Sequence, residues 1–151
     1  MPVDEQIMET LRIPREEAPV AKLLGMRLAS AGPGLATFVM DVDERHHNPM
    51  GSVHGGILGD LADAAMGYAV ISTLGADETF TTLEFKVNFL RPAFSGRLRC
   101  AARVETRGKT IAYAVADVHN EEGKVVAKAT STALVVKRTG ETDPFHHKPK
   151  A

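Results

Sequence analysis

The chain has 151 residues and a mass of 16.2 kDa, enough for one domain with its own core. A formal net charge of −1, with 44% hydrophobic and 25% charged residues, is an ordinary soluble composition with no global pull toward nucleic acid or an acidic membrane. The single cysteine, Cys100, excludes an internal disulfide, no apolar run reaches the ~18 residues of a membrane span, and the charged N-terminus lacks a signal-peptide core, so a cytoplasmic location is expected.

Residues 3 to 24 are expected to be helical in two pieces, broken near Pro14 and Pro19 and stopped at Gly25. In the second piece Val20, Leu23 and Leu24 share a face. Gly32-Pro33-Gly34 is turn chemistry between two extended runs, hence a hairpin. The stretch from Arg45 to Gly56 reads as a loop, because Asn48-Pro49 and Gly51 interrupt regular structure. His46-His47, and the tail pair His146-His147, lack a carboxylate or cysteine partner at metal-binding spacing, so both are expected in solvent. Residues 54 to 73 form the only long helix.

After it the segments alternate. Leu83, Phe85, Val87 and Phe89 oppose Glu84, Lys86 and Asn88; Leu98, Cys100, Ala102 and Val104 oppose Arg97, Arg99, Arg103 and Glu105. Ile111, Tyr113 and Val115 begin a further strand, and Lys124 to Val136 is the last, with turns at residues 107–109 and 121–124. The tail that follows is expected to be loose. A hairpin, one long helix and about four strands joined by consecutive hairpins predict an α+β fold, one antiparallel sheet with the helix on its buried face.

On a wheel at 100° steps, Ile57, Leu58, Leu61, Ala65 and Tyr68 face the sheet. Asp63 falls on the other half, flanked by Met66 and Val70, with Gly59 one turn before it and Gly67 one turn after. Each glycine costs about 1 kcal/mol against alanine inside a helix. The pair therefore predicts the close approach of a ligand or another backbone beside Asp63. A carboxylate on an apolar face needs a hydrogen bond or a task; a structural aspartate at a loop or dimer contact is the alternative. Asp60 lies near the same edge and reads as solvated or interfacial. At the helix start, the Gly55 and Gly56 N–H groups have no intrahelical partner and can hold negative charge. A tight turn would use the same glycines, and His54 could equally cap or pack. His54 and Asp63 are nine residues apart, about 13 Å along a helix and half a revolution round it. If both act on one small group, the site must combine two chains.

The run Asn48-Pro-Met-Gly-Ser-Val-His54-Gly55-Gly56 with Asp63 beyond it, then TTLEFKVNFLRPA (81–93) and RGKTIAYAVADVHNEEGKVVAKATSTALV (107–135), resembles the PaaI-like hotdog-fold thioesterases over most of residues 18 to 136. The resemblance implies a hotdog fold, an antiparallel sheet wrapped around one long central helix. It frames 18–137 as the thioesterase domain and 138–151 as a flexible tail; residues 1–17, a partly helical N-terminal extension, are longer than the shared pattern needs and are expected to cover the acyl pocket. It implies homodimers that pair into homotetramers and hydrolyse an aromatic or medium-chain acyl-CoA without metal or cofactor.

Carried over residue by residue, the resemblance makes Asp63 the nucleophile or general base and the Gly55 N–H the oxyanion donor. His54 and Asn48 orient the carbonyl, the water or the leaving thiolate. Thr82, with Thr81 as the alternative, positions water. Arg91, Arg107 and Lys109 contact the nucleotide of coenzyme A, and Met66, Val70 and phenylalanines hold the acyl group. Asp60 stands where relatives more often have a small or hydroxyl residue, and its charge would raise the pKa of Asp63. Two other classes compete: a non-catalytic acyl-CoA-binding protein, and a hotdog enoyl-CoA hydratase or dehydratase. The second needs a differently spaced Asp/His pair. The first sits poorly with Asn48, His54, Gly55 and Asp63 occurring together.

Overall fold

The computed structural model describes residues 5–138 apart from 12 and 15; the tail histidines His146 and His147 lie outside the described residues. Two short helices come first, α1 (Glu5–Thr10) and α2 (Pro19–Leu24). Pro19 opens α2, where its missing N–H is no loss. Gly25 closes it at φ 73°, its N–H bonded to the Ala21 carbonyl. The buried face of α2 differs from expectation: Ala21 is buried, whereas Val20 and Leu23 are exposed. A helix of under two turns lying on the sheet makes its contact through one small residue.

Strands β1 (Met26–Gly32) and β2 (Leu35–Val42) form the expected hairpin, turned by Gly34 at φ 70°. A 3-10 turn (Glu44–His46) leads by a loop into α3 (Gly55–Ile71). Then come β3 (Glu78–Phe89), β4 (Gly96–Arg107), β5 (Ile111–His119) and β6 (Val125–Lys137). All six strands join one antiparallel sheet in the order β1-β2-β4-β5-β6-β3. The β3–β4 connection is therefore not a hairpin. α3 carries the chain across the sheet to the far edge, where β3 pairs with β6, and the next link returns to β4 beside β2.

α3 lies on the inner face and buries more than half a wheel. Leu58, Leu61 and Ala65 are buried as expected, together with Ala62, Met66, Ala69 and Val70. Met66 and Val70 are each 1% exposed. They are core residues and leave the lining of an acyl pocket to others, because the sheet curls round both flanks of the helix. Tyr68 packs edge-on against Phe38, ring centroids 4.9 Å apart. The sheet admits the helix through small side chains. Ala112, Ala114 and Ala116 of β5 and Ala127, Ala129 and Ala133 of β6 are buried beneath it, while Ile111, Tyr113 and Val115 turn outward. In an interior packed at crystal density, small residues on the sheet let the helix backbone come close. No described helix is long and apolar enough to cross a membrane.

Candidate active site

Three phenylalanines of β3 meet three glycines of α3. A Cβ on Gly55 would lie 2.9 Å from Phe89 Cζ, one on Gly59 3.4 Å from Phe85 Cε2, and one on Gly67 3.8 Å from Phe80 Cζ. Within the chain the glycines make room for rings of its own edge strand. Gly59, Asp63 and Gly67 are successive steps on one i±4 ridge. Asp63 thus occupies the ridge between the Phe85 and Phe80 rings.

β3 bulges over that same interval. Thr82 pairs with Ala133 and Glu84 with Thr132, so Leu83 is the extra residue. Phe80, Thr82, Phe85, Val87 and Phe89 stand opposite the buried Val135, Ala133, Ser131, Ala129 and Ala127, which puts them on the inner face. Simple alternation assigned that face to Leu83. The bulge hands it to Thr82 and leaves Thr81, opposite Leu134, facing out. Of the two threonines, Thr82 is the one on the Asp63 side of the strand.

The Asp63 carboxylate is half-buried, and no described residue hydrogen-bonds to it. Burial raises its pKa above the usual carboxylate range, and the charge of Asp60 raises it further. Asp60 is exposed at the preceding turn and is itself shifted up by partial loss of water. Both effects favour a carboxylate whose basicity is stronger than that of a solvated aspartate.

At the start of α3, His54 is the N-cap. Its Nδ1 accepts the Gly56 N–H at 2.9 Å, which leaves the ring proton of the neutral form on Nε2, facing out as a donor. A Cβ on Gly56 would crowd that Nδ1 at 3.0 Å, so glycine permits the cap. The Ile57 and Leu58 N–H groups bond to the His54 carbonyl. Among the described residues this leaves the Gly55 N–H as the first-turn donor without an acceptor.

Asn48 is largely occupied in its own loop. Its Oδ1 accepts the Met50 N–H at 2.9 Å and the Ser52 N–H at 3.2 Å, and its Nδ2 donates to Ser52 Oγ at 2.9 Å. One amide hydrogen remains for a ligand. The neighbouring histidines depart from expectation. His46 is 2% exposed, and His47 Nε2 lies 2.8 Å from the Phe94 carbonyl. The loop is compact enough to enclose one imidazole and tether the other.

The cations expected at the nucleotide lie at opposite ends of α3. Arg91 borders a cleft of about 360 Å³ with Phe94, Asn120 and Lys124. The Val53 N–H bonds to Ala93 in the same loop, which places this cleft by the helix start. Arg107 sits by the helix end, where its Nε donates to Thr73 Oγ1 and its NH2 pairs with Glu78 at 2.5 Å. Lys109 is exposed beside a second cleft, of about 430 Å³, also lined by Glu78 and Lys137. Arg107 is already paired within the fold; among the described residues Arg91 and Lys109 have no ion pair. Burial pushes the Cys100 thiol up to about 12, so it stays protonated in the core.

Known proteins resemble this chain in sequence and in fold. Residues 50–127 match the family model described as the thioesterase superfamily. Acyl-coenzyme A thioesterase PaaI of Escherichia coli is 36% identical over 114 residues, 74% of this chain and 79% of that one. Human acyl-coenzyme A thioesterase 13 is 29% identical over 132 residues, 85% of this chain and 93% of that one. The solved structure of the E. coli PaaI protein, described as from the phenylacetic acid degradation operon, superposes with a TM-score of 0.75 at 30% identity, covering 89% of this chain and 92% of that one.

Proposed function

The chain belongs to the thioesterase superfamily as a PaaI-like hydrolase with the hotdog fold, and from that premise we propose that it cleaves an aromatic or medium-chain acyl-CoA to the free acid and coenzyme A. The observation that carries this reading is that, among the described residues, a half-buried Asp63 and the Gly55 N–H at the helix start both lack a hydrogen-bond partner. The Asp63 carboxylate takes a proton from water as the oxygen attacks the thioester carbon, or attacks that carbon itself to give an anhydride that water then opens. In the first course Asp63 passes that proton to the departing sulfur as the C–S bond breaks. In the second the C–S bond breaks as the anhydride forms and the thiolate takes its proton from solvent; the water that opens the anhydride regenerates the Asp63 carboxyl group and frees the acid. The carbonyl oxygen gathers negative charge, and a backbone N–H at the positive end of α3 is the donor suited to it. His54 Nε2–H and the free Asn48 amide hydrogen serve the carbonyl or the leaving sulfur, and Thr82 orients water.

Gly55 and Asp63 are eight residues apart, about 12 Å along α3, so a complete site takes Asp63 from one protomer and the helix start from its partner. The surface for that partner is β3. It is one of the two sheet edges, twelve residues long, and Leu83, Phe85 and Phe89 on it are 56%, 44% and 58% exposed. A long apolar edge of this kind calls for a second strand. Antiparallel pairing of two β3 edges sets the start of one α3 beside the later turns of the other. It also brings Arg91 toward the partner's Lys109, so that cations separated within one chain can share one nucleotide. The exposed rings of Phe85 and Phe89 supply the apolar wall for the acyl group, and dimers pair further into tetramers.

The reading is tested by following thiol release from a panel of aromatic and straight-chain acyl-CoAs, with Asp63→Ala in parallel. Release that the variant loses supports it and names the acyl class. Binding without release from any member would instead mark a non-catalytic acyl-CoA-binding protein.

A further inference from the structure

We propose that His46 is a positioning residue, a neutral imidazole clamped between two backbone groups that sets the loop delivering Asn48, His54 and Gly55 to the thioester. The role in catalysis rests on the hydrolase reading above; the clamp itself does not. The ring is 2% exposed and both nitrogens are engaged. Nδ1 accepts the Asp43 N–H at 3.0 Å, and Nε2 lies 2.8 Å from the Leu24 carbonyl. An N–H can only donate and a carbonyl only accept. The arrangement therefore admits one form of the ring, neutral with its proton on Nε2.

The main chain of His46 continues the clamp. Its N–H bonds to the Asp43 carbonyl at 3.1 Å, and its carbonyl accepts the His54 N–H at 2.8 Å. His54 caps α3 and immediately precedes the oxyanion donor. Leu24 is the last residue of α2, where carbonyls have no helical partner, so the ring fills a vacancy at one helix end while its own carbonyl holds the start of another. On the far side of the loop, His47 Nε2 reaches the Phe94 carbonyl and the Val53 N–H bonds to the Ala93 carbonyl. The loop is thus tied to α2 through one histidine and to the β3–β4 connection through the next.

A histidine that only stabilised the fold would lower the melting temperature and leave turnover at assay temperature intact. A positioning residue acts on kcat, because a displacement of about 1 Å at a reacting group can cost on the order of 100-fold. The experiment compares His46→Leu, His46→Asn and His46→Gln in the full chain, reading kcat and KM for the best acyl-CoA and amide hydrogen exchange at His54. The expected result is a fall in kcat of roughly 10- to 100-fold in the Leu and Asn variants with KM within about 2-fold. Faster exchange at His54 accompanies it, and Gln, whose amide can reach Leu24, recovers much of both. Unchanged kcat in a folded variant, a raised KM with kcat intact, or His54 exchange at the wild-type rate overturns the proposal. Should the Leu and Asn variants not fold, the Gln variant is read in the same way. Nitrogen NMR of the wild-type ring adds a second reading, in which a proton on Nδ1 at neutral pH also overturns the clamp. A wild type that releases no thiol defeats the hydrolase reading, and the exchange and NMR measurements still decide the clamp.

Discussion

Asp63 serves two opposed ends, since the setting that strengthens it as a base also weakens the fold. Its pKa is raised by burial first and by the Asp60 charge second. A folded-state value above the unfolded one means that the protonated form is the one folding favours. That contribution is present in full below the unfolded value and is lost as pH rises through the folded value. At neutral pH the chain therefore folds with an ionised carboxylate it would rather protonate. Asp63→Asn should lower kcat by about 10²- to 10⁴-fold. It should also raise the melting temperature at pH 7 by about 2–4 °C or less, allowing for solvent screening. The gain should shrink to nothing as the pH is brought below the ordinary aspartate range; thermal melts from pH 8 down to about 3 read this directly. Asp60→Asn tests the second cause alone. Removing that negative charge lowers the Asp63 pKa, so the base forms at lower pH and the acid limb of the kcat profile moves down. An acid limb that stays in place would separate the two carboxylates.

At the scale of elements, α3 and β3 are built for each other. The glycine ridge receives Phe80, Phe85 and Phe89, and the bulge at Leu83 keeps all three rings on one face although Phe80 and Phe85 are five residues apart. An odd spacing between inward residues is impossible in a regular strand, where faces alternate by two. Alternation was enough to read β4, where Leu98, Cys100 and Ala102 are buried as expected. It assigned Phe85, Val87 and Phe89 their face but misplaced Leu83, because nothing in the residue types of 81–84 marks an inserted position. β5 was legible as a strand, but not for which face goes inward. Bulky Ile111, Tyr113 and Val115 look like the core, yet a helix lying against the sheet selects the alanines between them. Substitutions on the ridge distinguish room from contact. Gly67→Ala places its Cβ 3.8 Å from Phe80, an ordinary contact, so it should add roughly 0.5–1 kcal/mol by helix propensity and a less flexible unfolded chain. Gly59→Leu must push Phe85 away and should cost roughly 1–3 kcal/mol by overpacking. Urea titrations of the two variants beside wild type measure both.

For the molecule as a whole, the proposed site is one that a single chain leaves unfinished. The residue types of the candidate site were legible because chemistry constrains them locally: a carboxylate on a helix, glycines after a histidine at its start. Their separation by two turns and more was readable too, since rise per residue fixes it. What they face was not, because it depends on the register of β3 and, in the proposed site, on a second copy. Nor was the burial of His46, which is made by α2 and the 3-10 turn closing over a loop that looks polar in sequence. If each site takes Asp63 from one protomer and His54 with Gly55 from its partner, two inactive proteins can repair each other. Asp63→Ala and His54→Ala, mixed one to one under conditions that exchange subunits, give about half hybrid dimers. In a hybrid, both defects fall in one site and the other site is wild type. About one quarter of all sites are then intact, and the mixture should recover about a quarter of the wild-type rate although each parent is nearly inactive. A site completed within one chain would carry a defect in every copy, and the mixture would stay at the parents' level. The thiol-release rate of the mixture, read against the two parents, decides between these arrangements.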